Sequence, residues 1–139
     1  MKKLLLTIFV AMFFATLYAP GGRAVLTIIE AEKIHVFDKM LWSFMKVESN
    51  FDTDTVNRLG YGGVLQIGQS MIDEANRICE LTSNPRRFVL DDRLDSLKSV
   101  QIWYIVQAHW NPSYELKRAC KVWNPEASVN YYKKIKSCL

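Results

Sequence analysis

The residue whose position most needs a chemical explanation is Glu48. From Ile34 the apolar residues Ile34, Phe37, Leu41, Phe44 and Met45 recur at steps of three and four, one face of an amphipathic helix, and Glu48 falls next on that stripe. Burial-driven patterning puts an apolar residue there unless the charge is paired or useful. At a helix end facing a cleft, a carboxyl group is partly desolvated and its pKa rises, as a general acid for glycosidic cleavage requires near neutral pH. The plainer alternative is a helix-end Glu paired with a basic neighbour. Asp52 and Asp54 are candidates for the second carboxylate that ordinary glycosidases place across the bond, although loop residues of this type more commonly build turns.

Other reactive side chains form no comparable pattern. His35 and His109 stand alone, and there is no Gly-rich phosphate loop or nucleophile–base pair. Cys79, Cys120 and Cys138 match no zinc spacing; in an oxidising compartment they permit one disulfide with one thiol left over, in three pairings among which the sequence does not choose. Neither a metal site nor a cofactor is expected.

The elements that must position Glu48 follow from the punctuation of the chain. After the first helix the segment Asn50 to Gly63 loses the helical period, carries Gly60, Gly62 and Gly63, and reads as loop with a short hairpin. Val64-Leu65-Gln66-Ile67 reads as a brief extended piece. Ser70 and Asp73 have capping-box spacing and open a helix through about Cys79. Asp91 or Asp92 is placed to cap the next helix, whose stripe of Leu94, Leu97, Ile102, Ile105 and Val106 runs toward His109. Asn111-Pro112 and Asn124-Pro125 both read as an N-cap followed by proline in the first turn, so two more helices are expected there. The sum is a mainly α domain with one irregular or β-hairpin insertion after its first helix.

The stretch Glu48 to Ile67, ESNFDTDTVNRLGYGGVLQI, resembles without a gap the soluble lytic transglycosylase motif, ES-x-F-x-x-x-A-x-S-x-x-G-A-x-G-L-M-Q-I. Glu48, Ser49, Phe51, Gly60, Gly63, Gln66 and Ile67 stand at the family's spacing, with Leu65 in the apolar place before Gln66. Departures are Thr55 for Ala, Asn57 for Ser, Tyr61 for Ala and Val64 for Leu. The resemblance implies a lysozyme-like α (α+β) fold related to goose-type lysozyme. It further implies that Glu48 protonates the oxygen linking N-acetylmuramic acid to N-acetylglucosamine, then accepts a proton from the sugar's own 6-hydroxyl, leaving a 1,6-anhydro end. That route needs one carboxyl group, because the substrate's N-acetyl group can stabilise the developing positive charge. On the same basis Ser49 is a candidate donor to the N-acetyl carbonyl, Gly63 lets backbone approach the sugar, and Gln66 lines the cleft. Toward the C-terminus, Trp123-Asn124 and Asn130-Tyr131-Tyr132 resemble a weaker copy of the family's last motif, making Asn124 a candidate substrate ligand and Tyr131 a candidate hydrogen-bond partner. Pro125-Glu126 departs from the Gly expected after that Asn. Trp42, Trp103, Trp110 and Trp123 can stack on sugars, though at helical spacing they equally serve a core. The alternatives are a hydrolytic muramidase and a non-catalytic wall-binding or assembly module.

Bulk properties agree with an exported protein. At 139 residues, half of them apolar, the chain holds one domain with a real core. Lys2 and Lys3 precede an apolar run from Leu4 to Ala19 and a polar break at Gly21, Gly22 and Arg23, the pattern of a signal peptide cleaved after Ala24, or else of an uncleaved anchor. This puts a signal at 1–24 and the catalytic-type domain at 25–139, in the periplasm or outside the cell. Removing Lys2, Lys3 and Arg23 lowers the formal charge from +4 to +1, which speaks against a nucleic-acid partner. The expected partners are peptidoglycan glycan strands and, as alternative settings, a secretion, conjugation or phage apparatus. Membrane contact is expected only if the N-terminal segment stays.

Overall fold

In the computed structural model, which describes residues 28–139 and their side chains from residue 36 onward, the chain is mainly helical. The expected signal or anchor at 1–24 and the side chains of Ile34 and His35 lie outside the described residues. The helices are α1 (Ile28–Ser49), α2 (Gln69–Leu81), α3 (Ser96–Trp110), α4 (Leu116–Trp123) and α5 (Val129–Lys136), with a 3-10 turn at Leu90–Leu94 before α3. Residues Glu32–Leu139 form one compact unit. Among the described residues, no helix is long and apolar enough to cross a membrane.

Of the stripe on α1, Phe37, Leu41 and Phe44 are buried and Met45 is half-buried, and Met40, outside the expected stripe, is buried with them. They meet Trp103 of α3 edge-on, with ring centroids 5.4 Å from Phe37 and 5.7 Å from Phe44. Phe44 also lies 6.5 Å from Trp123 of α4 and 6.3 Å from Tyr131 of α5, so one ring joins the first helix to the last two. Burial of a side chain this size contributes ~1.5–3 kcal/mol, and edge-to-face pairs add to it.

Between α1 and α2 the chain makes only two isolated antiparallel bridges, Val56 to Gly62 and Gly62 to Ile67. Val64 to Gln66 is therefore a turn rather than the extended piece expected. Gly63 at φ 73° and Gln66 at φ 50° curl the backbone, and the Gln66 N–H donates to the Gly63 carbonyl at 3.0 Å. The curl puts Val64, Leu65 and Ile67 all into the core, which an alternating strand could not do.

Several caps differ from expectation, each for a local reason. Helix α2 starts at Gln69 with Gly68 as its N-cap, so Ser70 caps nothing, while Asp73 accepts from Gln69 Nε2 at 2.7 Å. Asp92 caps the 3-10 turn by accepting the Val89 N–H at 2.9 Å. Asp95 caps α3, taking the N–H groups of Leu97 and Lys98 at 2.9 and 3.1 Å. Because α3 begins there, Leu94 and Leu97 are exposed and the buried face is Ser99, Ile102, Trp103, Val106 and Gln107. Asn111 closes α3 instead of opening α4; buried, it accepts the Glu115 N–H at 3.0 Å and donates to the Glu115 carbonyl at 3.1 Å. Asn124 likewise ends α4, and α5 opens four residues later on Ser128, whose hydroxyl accepts the Tyr131 N–H at 3.2 Å. All three thiols are free, with Cys79 and Cys120 buried.

Candidate active site

The helix that carries Glu48 ends in an unusual reversal. Asn50 and Phe51 both take positive φ, 56° and 68°, and their N–H groups close on the carbonyls of Lys46 and Met45 at 3.1 and 3.2 Å. Such a conformation is costly for residues other than glycine. It is held by the Phe51 ring packing on Trp42, with centroids 4.4 Å apart. The reversal sends the following loop back across the end of α1.

That loop is organised by its own polar side chains. Asp52 accepts the N–H groups of Asp54 and Thr55 at 3.0 and 3.2 Å. Asn57 accepts from Leu59 and Tyr61 at 2.9 and 3.2 Å and donates to Gln66 Oε1 at 3.2 Å. Asp52 and Asp54 are thus exposed turn builders that do not line the groove of Glu48. Arg93, from the turn before α3, straps the loop from outside: its guanidinium donates to the Gly60 carbonyl at 2.6 Å, and its own carbonyl accepts the Ser99 hydroxyl at 2.8 Å. A Cβ on Gly63 would come within 1.8 Å of that carbonyl, and one on Gly62 within 2.9 Å of Arg93 Nε.

Glu48 opens on a groove of about 870 Å³, walled by the Asn57–Tyr61 segment, α2, the end of α3 and α4. Its Oε1 accepts the Tyr131 hydroxyl, reaching across from α5. Among the described residues it has no ion-pair partner; the pairs are Arg77–Glu74 and Lys98–Asp92. Burial pushes the Glu48 carboxyl above the usual carboxylate range, and the Tyr131 hydrogen bond opposes that rise only in part. The Tyr131 phenol is driven far upward by burial and by the nearby Glu48 charge, so it stays a donor. Beneath them the Cys120 thiol, buried and facing the same charge, is pushed up to about 11 and stays protonated at neutral pH. Glu48 is consequently a carboxyl with a raised pKa beside a fixed phenol donor. Among the described residues there is no cluster of three or more His, Cys, Asp or Glu able to hold a metal ion.

The other expected site residues divide. Gln66 and Asn124 line the groove with Glu48. Gln66 Nε2 is engaged by the Gly63 carbonyl at 3.1 Å, and Asn124 Oδ1 by the Glu126 N–H at 3.1 Å, so each is held in place by the turn it serves. Ser49 does not line the groove; its hydroxyl donates to the Val64 carbonyl at 2.9 Å, which pins the loop to α1 and uses the proton expected for an N-acetyl carbonyl. Gly63 is buried, and the backbone it admits is that of Arg93 rather than a sugar. Of the tryptophans, Trp103 is core and Trp123 is buried, with Nε1 donating to the Leu65 carbonyl at 3.3 Å. Trp110 is exposed and lines the groove, its Nε1 donating to Glu74 at 2.6 Å.

Glu74, Arg118 and Lys121 also line this groove and were missed in the sequence. Glu74 is tied to Arg77 through both oxygens at 2.7 Å, and that contact holds its carboxyl below the usual range. The i,i+3 spacing of Glu74 and Arg77 was a readable signal for the pair. Nothing in the spacing of Arg118 and Lys121 marked them as groove residues. Comparison of the chain with protein-family models, with curated proteins and with solved structures finds no match.

Proposed function

We propose that the protein is an exported lytic transglycosylase that cleaves the β-1,4 bond between N-acetylmuramic acid and N-acetylglucosamine, with Glu48 as both acid and base on a lysozyme-like scaffold. One observation carries the reading: a carboxyl raised by burial, with no basic partner among the described residues, opens on a groove in the size range of small-ligand sites. The resemblance of Glu48 to Ile67 to the transglycosylase motif supplies the substrate class.

The arrangement suits the reaction step by step. The Tyr131 hydroxyl occupies Oε1, which leaves Oε2 to carry the acid proton. Glu48 gives that proton to the leaving 4-oxygen of N-acetylglucosamine as the bond to C1 of the muramyl sugar breaks, and the N-acetyl oxygen shields the positive charge at C1. The carboxylate, stabilised by Tyr131, then removes the proton of the muramyl 6-hydroxyl as O6 bonds to C1. The protons balance and no water is consumed. Asp52, whose carboxylate accepts two N–H groups of its turn, and Asp54, which accepts the Thr53 hydroxyl, both lie outside the lining of the groove and supply no second carboxylate, which favours this route.

Hydrolysis is the second reading, and Glu74 favours it as the other carboxylate lining the groove. Its ties to Arg77 and Trp110 count against a free role. Digestion of purified peptidoglycan followed by mass spectrometry separates the readings: an anhydro end means the sugar attacked, a reducing end means water did. Glu48→Gln should lower cleavage by ~10²- to 10⁴-fold while leaving the fold intact. Cleavage at the wild-type rate by Glu48→Gln would overturn the assignment.

A further inference from the structure

Two cations that line the groove of Glu48 form no ion pair with its carboxylates among the described residues. Glu74 is matched by Arg77. Arg118 and Lys121 lie one turn apart on α4, both exposed and both lining the groove, and neither forms an ion pair among the described residues. Their hydrogen bonds go to neutral carbonyls: Arg118 Nε to Trp110, and Lys121 Nζ to Pro125 and Ala127 at 3.2 and 2.9 Å. Those bonds orient the side chains without neutralising them. Arg118 keeps its Nη groups, a planar fork that matches a carboxylate. The sugar rings of a wall glycan are uncharged and need only neutral donors. Its negative charge sits on the muramyl side branch, as a stem-peptide carboxylate or, where the peptide has been removed, as the lactyl carboxylate.

Resting on the function proposed above, we infer that Arg118, with Lys121 beside it, binds a carboxylate of the muramyl side branch, so that the groove selects anionic over neutral β-1,4-linked glycan. The test is direct binding to the full-length chain in a Glu48→Gln background. Three probes are used: peptide-bearing wall oligosaccharide, the same oligosaccharide stripped of peptide, and a neutral chitooligosaccharide of equal length. Arg118→Gln should weaken binding of at least one anionic probe by about tenfold, equivalent to ~1.4 kcal/mol, with the neutral probe changed by less than about twofold. Arg118→Lys should recover part of the loss, and added salt should shrink the difference. Loss on the peptide-bearing probe alone assigns the stem carboxylate, loss on the stripped probe alone the lactyl group, and loss on both their shared charge. Equal loss on all three probes, no loss on any, or no binding of either anionic probe overturns the inference. Failure of the catalytic reading registers separately, as wild-type-rate cleavage by the Glu48→Gln protein.

Discussion

Replacing Gly63 with alanine separates two accounts of the motif glycines. If Gly63 serves the sugar, alanine should spoil cleavage and leave the fold alone; in the structure, alanine attacks the fold. At φ 73° a Cβ is strained, and here it would sit 1.8 Å from the Arg93 carbonyl oxygen. That carbonyl cannot step aside freely, because it accepts the Ser99 hydroxyl at 2.8 Å while the Arg93 guanidinium grips the Gly60 carbonyl at 2.6 Å. Left-handed backbone costs an alanine ~1–2 kcal/mol and forced repacking another ~1–3, so Gly63→Ala should lose roughly 2–5 kcal/mol. Gly60→Ala is the control: φ is 84°, yet nothing lies within 4 Å of its Cβ, so only the backbone cost of ~1–2 kcal/mol applies. Urea unfolding followed by circular dichroism reads both as midpoint shifts at constant slope. The reasoning fails if Gly63→Ala is as stable as Gly60→Ala, and it fails more plainly if Gly63→Ala keeps wild-type stability but loses cleavage.

Three further outcomes concern the acid and its loop. Because Glu48 must hold a proton to act and its pKa is raised, cleavage should fall as pH climbs through that raised value; a rate flat from acid to alkaline pH would contradict the assignment. Tyr131→Phe removes the bond that favours the charged carboxylate, so the alkaline limb should move to higher pH, and a limb that moves down or stays put would count against the phenol's role. Ser49→Ala should cost ~1 kcal/mol of unfolding free energy through the lost bond to Val64. Wild-type stability with a weakened KM would instead return Ser49 to the substrate.

The stripe on α1 was legible because it rests on spacing alone, and Glu48 stood out as the one charge that broke it. Tyr131 and Gln66 were legible only through the motif. The caps were misread where proline follows asparagine: Asn111 and Asn124 both bond a backbone N–H further along, as an N-cap does, but in turns that end a helix several residues before the next begins. Arg93 was invisible because its partner Gly60 lies 33 residues away, beyond any local pattern. The groove cations were hidden for the same reason, since charges on α4 gain meaning only from what faces them.

The bond between Glu48 and Tyr131 spans 83 positions of the chain. In a polypeptide emerging N-terminus first, the carboxylate is therefore made well before the phenol that bonds it and the wall formed by α4. A partly synthesised chain carries the acid without that enclosure, so the upward shift of its pKa, which comes from burial, belongs to the folded molecule.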